Sequence, residues 1–123
     1  MKLNYNHIPV INWGISKSQL KEAETNAIEA EKDTYIVYKV NGEPIYKTYQ
    51  FDNNKLVCAA VDINRLDITL GNVTLSMNNF FSTTPRKGCT PVIENKGGNG
   101  GVRVFYGKTI DDIKKFYRVE IED

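Results

Sequence analysis

The stretch Thr34-Tyr-Ile-Val-Tyr-Lys-Val-Asn-Gly-Glu-Pro-Ile-Tyr-Lys-Thr-Tyr-Gln-Phe-Asp-Asn-Asn-Lys-Leu-Val-Cys-Ala-Ala-Val-Asp-Ile63 decides the fold. It reads as three consecutive antiparallel strands, because β-branched and aromatic residues that suit a pleated surface alternate around two turn signals. At the first turn, Asn41-Gly42 tolerates the positive φ of a tight hairpin and Pro44 cannot donate to a ladder. A loop of two or of four residues sets odd positions of the second strand opposite even positions of the first. Ile45, Lys47, Tyr49 and Phe51 therefore share a face with Ile36, Tyr38 and Val40. The second turn, Asp52-Asn53-Asn54, leaves two registers. A two-residue loop pairs Phe51 with Leu56 and Tyr49 with Cys58, and a three-residue loop brings Val57 and Ala59 onto that face.

Upstream, Ser16-Lys-Ser-Gln19 fits a capping box, with Ile15 and Leu20 placed as a hydrophobic staple. Leu20, Ala23, Ala27 and Ala30 then recur at helical spacing, which predicts a helix from this cap to about Lys32. The arm before it, residues 1–14, carries Ile8, Val10, Ile11 and Trp13, and Trp13 and Leu20 are expected to be mostly buried. Downstream, Leu70, Val73, Met77, Phe80 and Phe81 predict a second helix over 70–82, with a strand as the alternative. Residues 86–101 have the composition of an exposed flexible loop. Val102–Tyr106 reads as a strand, Thr109-Ile-Asp-Asp112 as a capped turn, and Phe116–Ile121 as a final strand. The expected class is α+β: one domain over 1–123, an antiparallel sheet with a central three-stranded meander, and the helices packed on one of its faces.

With 123 residues the chain can bury one core without staples. Its 16 Lys and Arg against 15 Asp and Glu give a net charge of +1, so no global field recruits nucleic acid or an anionic membrane. No apolar run reaches the length of a membrane span, and Met1-Lys2 is followed by Asn-Tyr-Asn-His where a secretory leader needs an apolar core. That predicts a cytoplasmic protein, or an envelope protein if a leader precedes this stretch. Cys58 and Cys89 could form one disulfide, although a strand cysteine beside Ala59 and Ala60 reads more simply as a small core residue.

Trp13-Gly14-Ile15-Ser16, the helix after it, Tyr38, and the run Tyr49-Gln-Phe51-Asp-Asn-Asn-Lys55-Leu56 resemble a layout found in small bacterial envelope domains. These are the domains similar to outer-membrane assembly lipoproteins of the SmpA/OmlA type and to β-lactamase inhibitor protein repeats. The likeness covers residues 11–63, about half of the chain. It implies a helix-on-sheet domain that binds other proteins and has no catalytic residues to carry over. Trp13 would cover the core edge, Gly14 would allow the turn into the cap, and Phe51 and Leu56 would flank a hairpin. The chain departs from the pattern in having no lipidated cysteine near Met1 and one clear helix before the sheet.

Candidates for chemistry each have a plainer rival. Gly107-Lys108-Thr109 resembles the end of a phosphate loop, but Gly101 stands one residue too far upstream and a bulky strand lies between. His7, the only histidine, reads as a surface residue with no reason to approach either cysteine. Asp111-Asp112 and Glu120, Glu122 and Asp123 read as solvated charges, so neither a catalytic set nor a metal or cofactor is expected. Lys96 with Gly97, Gly98, Asn99, Gly100 and Gly101, near Arg103, could instead form an anion-binding nest for a nucleotide or other small anion. The leading expectation is a non-catalytic module that binds another protein, of inhibitor, immunity or envelope-scaffold type. Its contact residues are expected to be Tyr35 and Tyr46, which alternate away from the helix-covered face.

Overall fold

A computed structural model describes residues 7–40, 45–64, 92–95 and 101–117. In chain order these form α1 (Lys17–Ala23), β1 (Ala27–Glu31), β2 (Tyr35–Lys39), β3 (Ile45–Asp52), β4 (Lys55–Asn64), β5 (Val92–Asn95), β6 (Gly101–Gly107) and α2 (Ile110–Tyr117). The strands make one sheet in the order β1-β2-β3-β4-β6-β5, and every neighbouring pair is antiparallel. The architecture is α+β, as the sequence predicts.

The meander has the expected register. Ile36 lies opposite Tyr49 and Tyr38 opposite Lys47, while the Val40 amide donates to the Ile45 carbonyl at 2.9 Å. The second turn is a two-residue loop in which Asn53 and Asn54 both have positive φ, 51° and 58°, a conformation that asparagine tolerates. Beyond it a β-bulge separates the pairs Phe51–Leu56 and Gln50–Cys58, so Val57 is extra and Tyr49 lies opposite Ala59. Each register read from the sequence thus holds on one side of the bulge. At the bulge the N-terminal arm joins the sheet: Gly14 N–H donates to the Leu56 carbonyl (2.9 Å) and Leu56 N–H donates to Ile15 O (2.8 Å). Gly14 has a φ of +94°, which a side chain would strain.

The sheet is apolar on both faces. On the first, Ile36, Tyr38, Tyr49, Phe51, Leu56, Val61, Val104 and Tyr106 form the main core, closed by Ile8 and Leu20, with Val10, Ile11, Trp13 and Ile15 packed around it. Leu20 is fully buried, worth about 1.5–3 kcal/mol of transfer free energy. Trp13 is half-buried at the edge of this core. On the second face, Ile113 of α2 covers Cys58, Ala60 and Phe105, joined by Phe116 and Tyr117. Gly107 lets this helix come close: a Cβ there would lie 2.7 Å from Ile113 Cγ1 and 3.0 Å from the Thr109 carbonyl.

Several expectations change. The first helix begins as predicted, with Ser16 accepting from Gln19 N–H and Gln19 Oε1 accepting from Ser16 N–H. It ends at Ala23 and not near Lys32, because Glu24 leaves the helix to bury its carboxylate and Ala27–Glu31 becomes an edge strand. That edge is short, bulged between Ile28 and Ala30, and carries exposed Glu29 and Glu31, features that discourage further pairing. Thr109 caps a full helix in place of a turn. Asp112 N–H donates to its Oγ1 (3.2 Å), and the acidic first turn and basic last turn complement the helix dipole. Phe116 and Tyr117 therefore belong to α2 and not to a final strand. The loop read over 86–101 contains β5, and Gly101 opens β6. Residues 70–82, read as the second helix, lie outside the described residues; the second helix observed is C-terminal and sits on the opposite face from α1.

Candidate functional site

The most concentrated charge among the described residues is sealed inside the main core. Lys47 Nζ lies 2.7 Å from Glu24 Oε1, and the two side chains are 3% and 2% exposed. The Tyr49 hydroxyl donates to the same oxygen (2.8 Å) and accepts from the Val10 amide (2.8 Å), tying the N-terminal arm to the sheet. Asn26 donates its backbone and side-chain N–H groups to Glu24 Oε2. Burial raises the Glu24 carboxyl, but the Lys47 ammonium, the Tyr49 hydroxyl and the Asn26 amide outweigh it and hold the group below the usual carboxylate range. Burial, reinforced by Glu24, pushes Tyr49 well above its ordinary value. Tyr38 meets Tyr49 edge to face at 5.7 Å and is pushed up to about 12, by burial first and then by Glu24 and Glu31. A network closed to solvent offers a substrate no approach, so its chemistry is that of a polar lock in the core.

The accessible chemistry lies on the other face, where the registers align residues in three rows across the strands. Tyr35, Gln50, Cys58 and Gly107 form one row; Val37, Thr48, Ala60, Phe105 and Val92 the next; Lys39, Tyr46, Asp62, Arg103 and Glu94 the third. Helix α2 covers the β4 and β6 part of the first two rows. The β2 and β3 part is half-buried at Tyr35, Val37, Tyr46, Thr48 and Gln50, and Lys39 is exposed. The Lys39 ammonium sits 5.9 Å from the centre of the Tyr46 ring. Tyr35 and Tyr46 thus share this face as the sequence predicts, separated along the strands by four residues, or about 13 Å at ~3.3 Å per residue.

Where the open part of the face meets α2 there is a cavity of about 160 Å³ lined by Thr48, Ala60, Asp62, Arg103, Phe105 and Tyr117. Arg103 Nη2 donates to Asp62 Oδ2 at 2.6 Å. The Tyr117 hydroxyl donates to the Thr48 carbonyl (3.3 Å), and its ring lies against Phe105, with centres 5.2 Å apart. Alternation along β6 could have paired Arg103 with Phe105 from the sequence. Tyr117 could not be found that way once it was read into a strand.

The other candidates separate. Lys96, Gly97, Gly98, Asn99 and Gly100 lie outside the described residues, and Gly101 and Arg103 are strand residues of β6. His7 is buried, contrary to the surface position expected, because the arm that carries it packs on the core. Cys58 is a free buried thiol, pushed up to about 12 by burial and then by Asp112, which makes it inert; Cys89 is outside the described residues. Asp112 serves the α2 cap. Among the described residues no three His, Cys, Asp or Glu side chains gather as metal ligands, and no helix is long and apolar enough to cross a membrane. Glu120, Glu122 and Asp123 are outside the described residues. Compared with protein-family models, curated proteins and solved structures, the chain matches none.

Proposed function

We propose that this protein is a non-catalytic binding module that recognises another protein through the open face of β2 and β3, with Tyr35 and Tyr46 as contact residues. The observation that supports this reading is the unequal cover of the sheet. Among the described residues, the arm and α1 close one face, whereas α2 covers the other over β4 and β6, with the half-buried Tyr35, Val37 and Tyr46 beyond it. Tyrosine suits such a surface, with an apolar body and a polar tip. The burial of Glu24, Lys47 and Tyr49 favours the same reading, since it assigns the strongest charges to stability. Likeness to envelope assembly domains rests on the short motif around Trp13 and Phe51 and agrees with a binding role.

A nucleotide-binding reading is less well supported. Of the cations it drew on, Lys96 lies outside the described residues and Arg103 borders a cavity of about 160 Å³, roughly half the lower end of the 300–1,000 Å³ typical of small-molecule sites. The test is capture of a protein from extracts of the producing cells on immobilised wild type and on the Tyr35→Ser/Tyr46→Ser variant. The proposal expects capture to be lost with the melting temperature unchanged. Capture that survives the double substitution refutes it.

A further inference from the structure

We infer that the N-terminal arm, residues 7–13, is an acid-released strap: protonation of Glu24 strands the buried Lys47 ammonium, and the arm lifts about Gly14 to let water reach that charge. The strap lies on the face of the sheet opposite the binding face proposed above and is independent of it. A chain of contacts holds it shut. The Val10 amide donates to the Tyr49 hydroxyl (2.8 Å), which donates to Glu24 Oε1 (2.8 Å), the oxygen that also meets Lys47 Nζ at 2.7 Å. The arm is thus two hydrogen bonds from the carboxylate. With Glu24 ionised the ammonium has its counter-charge; with Glu24 neutral it is a lone cation in an apolar core, and hydration must replace the lost partner.

Neither member of the pair is free to carry its charge to solvent. Lys47 belongs to β3, which is paired on both sides by β2 and β4. Glu24 is held to α1 by its N–H bond to the Leu20 carbonyl (2.8 Å), and Leu20 is fully buried. The arm is the movable cover. Its Val10, Ile11 and Trp13 are half-buried, and its backbone joins the sheet at Gly14 and Ile15 through Leu56, so the residues before them can lift while this junction holds. Gly14, with a φ of +94° and open space where a side chain would sit, is the pivot. The groups facing Glu24 are Lys47 and Tyr49 of β3, Tyr38 of β2 and Asn26 after it, and Glu31 of β1 adds to the field at Tyr38. Together they hold the carboxyl below 4.5 while the arm is shut, so release belongs to pH below that value. The arm itself carries one further titratable side chain, the buried His7.

Trp13, the one tryptophan of the chain, reports on the arm. When the full chain is titrated from neutral to acid pH, its emission and its quenching by acrylamide should change before far-UV circular dichroism shows loss of the sheet. Over the same step the protection factor of the Val10 amide should fall by about tenfold for every pH unit by which the shut arm lowers the carboxyl, with the central amides of β3 and β4 still protected. Glu24→Gln should show the released signal at neutral pH. Glu24→Gln/Lys47→Met, which removes both charges, should keep the arm shut and lose the early step, and His7→Asn should retain it. Should Glu24→Gln fail to fold, the wild-type titration and the double variant decide. A single transition in which Trp13, the Val10 amide and the circular dichroism change together overturns the strap. An early step that survives in Glu24→Gln/Lys47→Met, or that vanishes in His7→Asn, overturns it by placing the trigger elsewhere.

Discussion

Glu24, the residue that ends α1, and Lys47, in the middle of β3, form an ion pair of 2.7 Å inside the core, and the Tyr49 hydroxyl closes on the same carboxylate oxygen. This pair explains why the first helix is only seven residues long. A lysine on the apolar face of a central strand must find a partner, and Glu24 reaches it only by leaving helical geometry. Lys47→Met should cost about 3–5 kcal/mol, since it strands a buried carboxylate. The Glu24→Gln/Lys47→Met double variant should cost much less than the sum of the single changes, as read from urea denaturation midpoints.

The same network sets the pH limits of stability. Glu24 is held below its ordinary value of 4.5 in the fold, so its contribution is present above that pH and is lost as pH falls through the folded value. Tyr38, raised from 10.0 to about 12, contributes stability that is full below pH 10 and is lost as pH rises through about 12; Tyr49 acts in the same direction. Melting temperature against pH should therefore fall at both ends. Glu24→Gln should flatten the acid limb and Tyr38→Phe the alkaline limb. A Glu24→Gln protein with the wild-type acid slope would contradict the assignment.

Two local devices have separable effects. Ser16→Ala should cost about 1 kcal/mol through loss of the α1 cap. Thr109→Ala should cost a similar amount through α2, by removing the acceptor of the Asp112 amide. Because the caps serve helices on opposite faces, their effects should add in chemical denaturation within about 0.5 kcal/mol.

Gly107→Ala should destabilise by about 1–3 kcal/mol, the usual range for overpacking, since the added methyl meets Ile113 and the Thr109 backbone. Ile113→Ala, which removes the contacting Cγ1, should therefore cost less when added to Gly107→Ala than when made in the wild type, as read in the same thermal melt.

Much of this fold is legible in the chain because local signals and tertiary contacts agree there. The Ser16 box, the Asn53-Asn54 turn and the alternation from Ile36 to Phe51 need no distant partner, and Tyr35 and Tyr46 follow from that alternation. Ala27-Ile-Glu-Ala-Glu31 carries good helix formers, yet it pairs with β2 because the buried bond between Glu24 and Lys47 has already turned the chain. Phe116 and Tyr117 look like the start of an alternating strand, but with Ile110 and Ile113 they recur at helical spacing, and the Thr109 cap selects the helix. The cavity was hidden for the same reason. It exists only where Tyr117 of α2 reaches the Thr48 carbonyl of β3, a meeting that no spacing along the chain encodes.

The central claim, that a partner protein is bound on the open face of β2 and β3, is tested most directly by the backbone amide chemical shifts of the labelled chain with and without the captured partner. The account predicts perturbations centred on Tyr35, Val37, Tyr46 and Thr48, extending to Arg103, with α1 and the arm around Trp13 unchanged. Perturbations centred on α1, the arm or the exposed edge strand Ala27–Glu31 would contradict it.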